Sequence, residues 1–167
     1  MTKLGVALLG AVVACLLAAG ASAKLTPVEQ TWAKPMIAVW NQQNVALQVV
    51  LQAASAKDAL VYGSANNKKL NVILNTFVVC GPAIKKAGTP PSPRLKAFAD
   101  ALGTACTHDT NGAHDIAKVV GAVRKGKTAQ LQALLQGSAA EFKLGTAALT
   151  KAYKSLLAIG GANIFKA

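Results

Sequence analysis

The sequence predicts an all-α protein whose default architecture is an up-and-down bundle of four to five helices. Its apolar residues recur at spacings of three and four rather than two, which is the periodicity of helices. The chain is rich in alanine, has only 5% aromatic residues, and is divided by short segments that contain proline or glycine. Because helices of this kind are stable only when their apolar faces meet, we expect them to pack as one bundle.

The first 23 residues have the three parts of a signal peptide. Lys3 gives a positively charged start, residues 4–19 contain no charged or strongly polar side chain, and Ala21 and Ala23 are small residues at the positions that signal peptidase recognises. We therefore predict a cleaved signal peptide, residues 1–23, followed by a single helical domain, residues 24–167. Such a protein is secreted or resides in the periplasm or cell envelope.

Two alternative interpretations of this segment remain open. Residues 4–23 are long enough to span a bilayer if they are never cleaved, although their alanine and glycine content makes a weak membrane span. The residues Val12–Cys15 also resemble a lipoprotein box, in which Cys15 would carry the lipid. The residues after Cys15 stay apolar through Ala19, whereas a lipoprotein usually becomes polar there.

The first helix of the domain has a clear N-terminal signature. Thr26 is a cap candidate, Pro27 suits the first turn, and Glu29 follows the cap by three residues, so we predict a helix start at this point. Pro35 lies inside the pattern, removes a backbone donor, and predicts that the first turns are kinked or detached. The pattern ends near Ser55.

Prolines also divide the middle of the chain. The Gly81-Pro82 pair predicts that the second helix bends or ends at about Cys80. After a proline-rich connection, Ser92 is the predicted cap and Pro93 the first-turn residue of a third helix.

Two more helices are expected after a polar break at residues 107–112, which contain an Asn-Gly pair. A shorter helix follows and ends at about Arg124, and a final helix begins around Thr128 and stops at Gly160.

Cys80 and Cys106 are predicted to form a disulfide. Both fall on the apolar faces of consecutive helices, and an even number of cysteines in an exported chain is typical of a structural bridge. The alternative is two buried free thiols that pack as small apolar residues. No Cys-x-x-Cys motif favours a redox role.

The pairs His108-Asp109 and His114-Asp115 suggest zinc binding or a general base oriented by a carboxylate. Their six-residue separation fits neither one helical turn nor the usual spacing of structural zinc ligands. We therefore expect a solvated loop with no metal, in which Asp115 caps or supports the following helix.

Catalytic motifs are absent from the sequence. The six acidic residues form no obvious pair, and no Gly-x-Ser-x-Gly elbow or phosphate-binding glycine loop is present. We expect no enzyme activity and no cofactor. Axial ligation of a haem would have to come from Tyr153, His108, His114 or Tyr62, and nothing in the spacing singles out any of them.

Charge is the strongest pointer to function. The chain has 18 basic and 6 acidic residues and a formal net charge of +12, which falls by one when Lys3 is removed. On the last helix, lysines lie opposite the apolar face, and a basic cluster precedes that helix. The predicted anion-binding surface consists of Arg124, Lys125, Lys127, Lys143, Lys151 and Lys154.

The sequence therefore favours an exported, non-enzymatic binding protein whose partner is an anionic polymer or surface, such as the cell envelope, lipid head groups or nucleic acid. The alternative is a carrier of an apolar small molecule, a lipid or haem, in the bundle core.

Overall fold

The computed structural model describes residues 24–54, 58–127 and 129–162. The described part of the chain is all-helical, which confirms the predicted fold class. Its elements are α1 (Pro27–Ala54), α2 (Ala65–Val78), α3 (Cys80–Ala87), a 3₁₀ turn (Pro93–Leu95), α4 (Lys96–Arg124) and α5 (Leu131–Ala158). Because only Val79 separates α2 from α3, these elements make four helical rods.

The four rods form a ring in which α1 packs on α2, α2 on α4, α4 on α5, and α5 on α1. At one end of the bundle, the Trp32 indole near the start of α1 donates a hydrogen bond to the carbonyl of Gly88, just after α3. At the other end, Arg124 at the end of α4 lies over the ring of Tyr62, just before α2. Consecutive rods therefore run antiparallel.

The start of α1 is the predicted capping box. The backbone N–H of Thr26 donates to Glu29 Oε2 at 2.8 Å, and the Glu29 N–H donates back to Thr26 Oγ1 at 3.4 Å. Of the two predicted effects of Pro35, a kink or detachment of the first turns, the detachment is wrong, because α1 is one continuous helix with Pro35 inside it. Met36 and Ile37, directly after the proline, are buried, and their packing holds this part of the helix on the bundle.

Ser92 occupies the predicted N-cap position and Pro93 the first turn, but this turn is the 3₁₀ turn Pro93–Leu95 that leads into α4. The Ser92 side chain makes no capping bond to the following backbone. Its hydroxyl instead donates to Glu29 Oε1 at 2.5 Å. A side chain that faces a buried carboxylate 63 residues away is not available for local capping.

The predicted break at residues 107–112 does not exist, since α4 continues through them to Arg124. The Asn-Gly pair that suggests a turn instead supplies a glycine for close packing. A Cβ placed on Gly112 would lie 3.0 Å from the ring of Phe142 on α5, and the Gly112 carbonyl accepts a hydrogen bond from Ser138. Tertiary packing therefore overrides the local turn signal.

The helix ends near Gly81, Arg124 and Gly160 agree with the sequence. α2 ends at Val78, α4 ends at Arg124, and α5 ends two residues before Gly160, whose φ is 84°. The predicted boundaries near Ser55 and Thr128 lie outside the described residues, as do the signal peptide and Cys15. No helix in the described ranges has both the length and the apolar character that a membrane crossing requires.

Candidate anion-binding surface

All six residues of the predicted surface are exposed. Lys143, Lys151 and Lys154 lie on α5 opposite buried residues such as Phe142 and Leu149, as the helical periodicity predicts. At 1.5 Å per residue, Lys143 is about 18 Å and Lys154 about 35 Å from the start of α5. The three lysines therefore form a stripe along the helix rather than a pocket.

The other three cations lie where α4 ends and α5 is about to begin. Arg124 is fixed by the aromatic face of Tyr62, with the guanidinium carbon 4.2 Å from the ring centroid. Lys125 follows in the turn that closes α4, where the helix dipole favours positive charge. Together with Lys127, they make a basic cluster at one end of the bundle.

Sequence reasoning did not place Lys68 and Lys69 in this cluster, but the fold brings them to the same end. Ser64 caps α2 by accepting a hydrogen bond from the N–H of Asn67, so both lysines lie in the first turns of that helix. The contact between Tyr62 and Arg124 joins this end of α2 to the end of α4. The adjacent lysines are visible in the sequence, but the contact between the two distant helix ends is not.

Few cations of the described residues have an acidic partner. Only Arg94, Lys96 and Lys118 have a carboxylate oxygen within 4.0 Å, from Glu29, Asp100 and Asp115 respectively. Within the described ranges, none of the six residues of the predicted surface has such a partner. No carboxylate of these ranges therefore neutralises their charge.

The two histidine–aspartate pairs lie within α4 and point in different directions. His108 Nδ1 lies 2.7 Å from Glu141 Oε2 on α5, and Asp115 pairs with Lys118 at 2.8 Å. Asp109 is buried, whereas His114 is exposed. The expectation of a solvated loop is wrong, because both pairs lie on one continuous helix. Their six-residue separation on that helix turns the two pairs away from each other.

Groups that could ligate a metal or haem are not brought together in the described ranges, where no cluster of three or more His, Cys, Asp or Glu residues occurs. Tyr153 stacks on Trp40 with ring centroids 5.5 Å apart, while Tyr62 packs under Arg124 at the other end of the bundle.

The predicted disulfide pair is confirmed in its geometry. Cys80 and Cys106 are both buried, and their Cα atoms lie 5.5 Å apart, within the range of disulfides. The bridge joins the first residue of α3 to the middle of α4. It therefore fixes the rod formed by α2 and α3 against α4.

Asp109 is the most unusual polar group of the core. It is fully buried, and neither carboxylate oxygen has a hydrogen-bond partner among the described residues. Burial raises the pKa of this carboxyl to about 7. The sequence places Asp109 in a His-Asp pair, but nothing in the sequence predicts that its side chain faces the interior.

Glu29 is the opposite case, a buried carboxylate with many partners. It accepts hydrogen bonds from Arg94, Ser92 and Thr26. The hydrogen bonds from Arg94 and then from Ser92 hold the pKa of Glu29 far below its usual range. This group anchors the start of α1 to the segment that leads into α4.

Two open grooves lie on the surface of the described part. A groove of about 430 Å³ between α3 and α4 is lined by residues such as Pro82, Ile84 and Thr107. A second groove of about 370 Å³ between α1 and α2 is mostly apolar and is lined by Val45, Val49 and other residues.

Comparison with known proteins adds no family to these observations, since the chain matches no protein-family model, no curated protein and no solved structure.

Proposed function

We propose that this chain is an exported, non-enzymatic protein that binds anionic polymers or membrane surfaces through the exposed cations of α5 and the end of α4. The observation that carries the proposal is that Arg124, Lys125, Lys127, Lys143, Lys151 and Lys154 are all exposed and lack a carboxylate partner among the described residues. A surface that serves solubility alone normally mixes both signs of charge.

The spacing of these cations favours an extended partner over a small anion. The lysine stripe and the basic cluster span about 35 Å along the axis of α5. A small anion would need several donors within hydrogen-bond reach of one point, whereas a polymer or a lipid surface contacts charges along its length. Export is supported by the signal-peptide pattern and by the disulfide geometry, which suits an oxidising compartment.

The alternative, a carrier of an apolar small molecule in the core, has weaker support. Large side chains fill the interior between the rods, among them the fully buried Met36, Phe77, Phe98 and Leu102. The two grooves lie at the surface rather than inside the bundle.

Salt-dependent binding tests the proposal. Binding of the mature protein to anionic liposomes, a teichoic-type polymer and nucleic acid is measured at increasing salt, and affinity should fall steeply because bound counterions are released. The triple variant Lys143→Gln, Lys151→Gln, Lys154→Gln should bind more weakly and unfold at nearly the same temperature.

A matched control removes three exposed lysines elsewhere, Lys34, Lys85 and Lys86, and so lowers the net charge equally. This control should retain most of the affinity. Equal losses in both triple variants would show that only net charge matters, and a wild type that binds none of the three polyanions at low salt would contradict the proposal.

A further inference from the structure

The seam between α4 and α5 contains a buried carboxyl that accepts no hydrogen bond from the described residues. Asp109 is 0% exposed and lies directly against Gly145, so closely that a Cβ on residue 145 would overlap the carboxyl group. The absence of a side chain at Gly145 therefore makes room for Asp109. This fit brings the carboxyl against the backbone of the neighbouring helix.

Two side-chain donors of the described residues, on or facing the neighbouring rods, bind other groups than Asp109. Gln43 of α1 is also buried, and its amide nitrogen donates to the Thr76 carbonyl of α2, while its Oε1 has no partner among the described residues. Thr110, next to Asp109, donates to the Phe77 carbonyl of α2. Both of these side-chain donors thus bind backbone carbonyls, and Asp109 receives no hydrogen bond from the described residues.

Charged groups on the surrounding helices do not compensate Asp109. On the seam itself, Glu141 of α5 binds His108 of α4, and Lys143 of α5 is exposed. The described part of α1 carries no charged residue after Lys34.

On the rod formed by α2 and α3, the cations lie towards the two ends. They are Lys68, Lys69, Lys85 and Lys86, and all four are exposed. Burial alone, with no contribution from a neighbouring charge, raises the pKa of Asp109.

We propose that Asp109 is a pH-sensitive latch: its neutral carboxyl allows α4 to close on α5 at Gly145, and its ionisation favours local separation of the two helices. The described residues of the seam donate no hydrogen bond to this carboxyl, so the charged form gains hydrogen bonds when the helices part and water enters. The proton leaves to that water. This latch is independent of polyanion binding by the exposed lysines.

The dependence on pH follows from linkage. In the separated state the carboxyl ionises near its ordinary value of 3.8, whereas in the closed state it ionises at about 7. Between these two pH values the closed state binds more protons, so the opening equilibrium rises with pH by up to tenfold per unit. Above about pH 7 the opening equilibrium stops changing.

Hydrogen exchange of the intact mature protein tests the latch. After correction for the intrinsic exchange rate, the protection of amides such as Ala148 and Leu149 should fall by up to tenfold per pH unit between pH 4 and pH 7. In Asp109→Asn, which keeps the shape and cannot ionise, this fall should disappear. Two control variants, Asp115→Asn on the same helix and His108→Gln in the same seam, should keep it.

Amides of α2, such as Leu70 and Leu74, distinguish local from global opening. Their protection should change much less than that of α5, and an equal change would overturn the local latch. The latch would also be overturned by a flat wild-type profile, or by a fall that persists in Asp109→Asn or vanishes in His108→Gln. If Asp109→Asn does not fold, carboxyl ¹³C NMR of the wild type decides: a titration midpoint near 7 supports the latch, and one near 4 overturns it.

Discussion

Glu29 and Arg94 connect the first turn of α1 to the 3₁₀ turn before α4, across 65 residues of sequence. The Nε of Arg94 donates to Glu29 Oε1 at 2.6 Å, and a second guanidinium nitrogen pairs with Oε2. The Glu29 side chain is 5% exposed and the Arg94 side chain 31% exposed. Removal of the arginine therefore leaves a buried negative charge without its main partner.

We expect Arg94→Met to lower the free energy of unfolding at pH 7, because it leaves the Glu29 carboxylate, whose side chain is 5% exposed, without its main partner. Urea denaturation measures the change. The matched control is Lys96→Gln, which breaks the exposed pair with Asp100 and should cost well under 1 kcal/mol. Equal effects of the two variants would contradict the role of the buried pair.

The stability of the protein should fall in acid because of Glu29. Its folded-state pKa lies far below the ordinary value of 4.5, so the stability that it contributes is present above about pH 4.5 and is lost as the pH falls. We expect Glu29→Gln to be less stable than the wild type at pH 7, and the difference to shrink between pH 4.5 and pH 2. Thermal unfolding at several pH values measures this, and a constant difference would contradict it.

The fit between Asp109 and Gly145 predicts a strong coupling. Gly145→Ala places a methyl group on the carboxyl and should destabilise the protein by about 2 kcal/mol or more. Asp109→Ala should relieve the overlap, so the double variant should be more stable than Gly145→Ala alone. Gly121→Ala is the control: nothing lies within 4 Å of its Cβ position, and alanine there should stabilise α4 slightly. Additive effects of the two seam substitutions would contradict the contact.

The disulfide should contribute about 3 kcal/mol of stability, because it closes a loop with a sequence separation of 26 residues. We expect Cys80→Ser with Cys106→Ser to lower the midpoint of urea unfolding, and a reductant to have the same effect on the wild type. Thiol titration of the denatured, unreduced mature protein should find no free thiol. Two titrating thiols would show that the cysteines are not bridged.

The N-terminal pattern predicts a mature chain that begins at Lys24. Intact mass and N-terminal sequencing of protein from the producing cell measure this directly. A full-length chain extracted from membranes would instead support the uncleaved anchor, and a lipid on Cys15 would support the lipoprotein interpretation.

Local signals made part of the fold predictable. The capping box of Thr26 and Glu29 uses residues three apart, so its geometry follows from the sequence alone. The approach of Cys80 to Cys106 also follows, because consecutive antiparallel helices present their apolar faces to each other.

Features that depend on contacts between distant segments were not predictable. Asn111-Gly112 has the composition of a turn, yet the glycine lies inside a helix, where the Phe142 ring packs closely against it. The buried position of Asp109 depends on its contact with Gly145. The pattern of polar and apolar residues does not reveal this contact. Exposed lysines were assigned correctly to the outer face of α5, since helical periodicity alone places them there.

The order in which the helices are synthesised has a consequence for α1. Glu29, its polar anchor, pairs with Arg94, which is synthesised later. Trp40 donates its hydrogen bond to the carbonyl of Leu149, 109 residues later in the chain. In contrast, α4 and α5 make the most extensive contact in the bundle and follow each other directly in the chain. We therefore expect the hairpin of α4 and α5 to form early. α1 can dock on α2 and α3 once these helices have followed it, whereas its contact with α5, which includes the hydrogen bond of Trp40, forms only after the final helix has emerged.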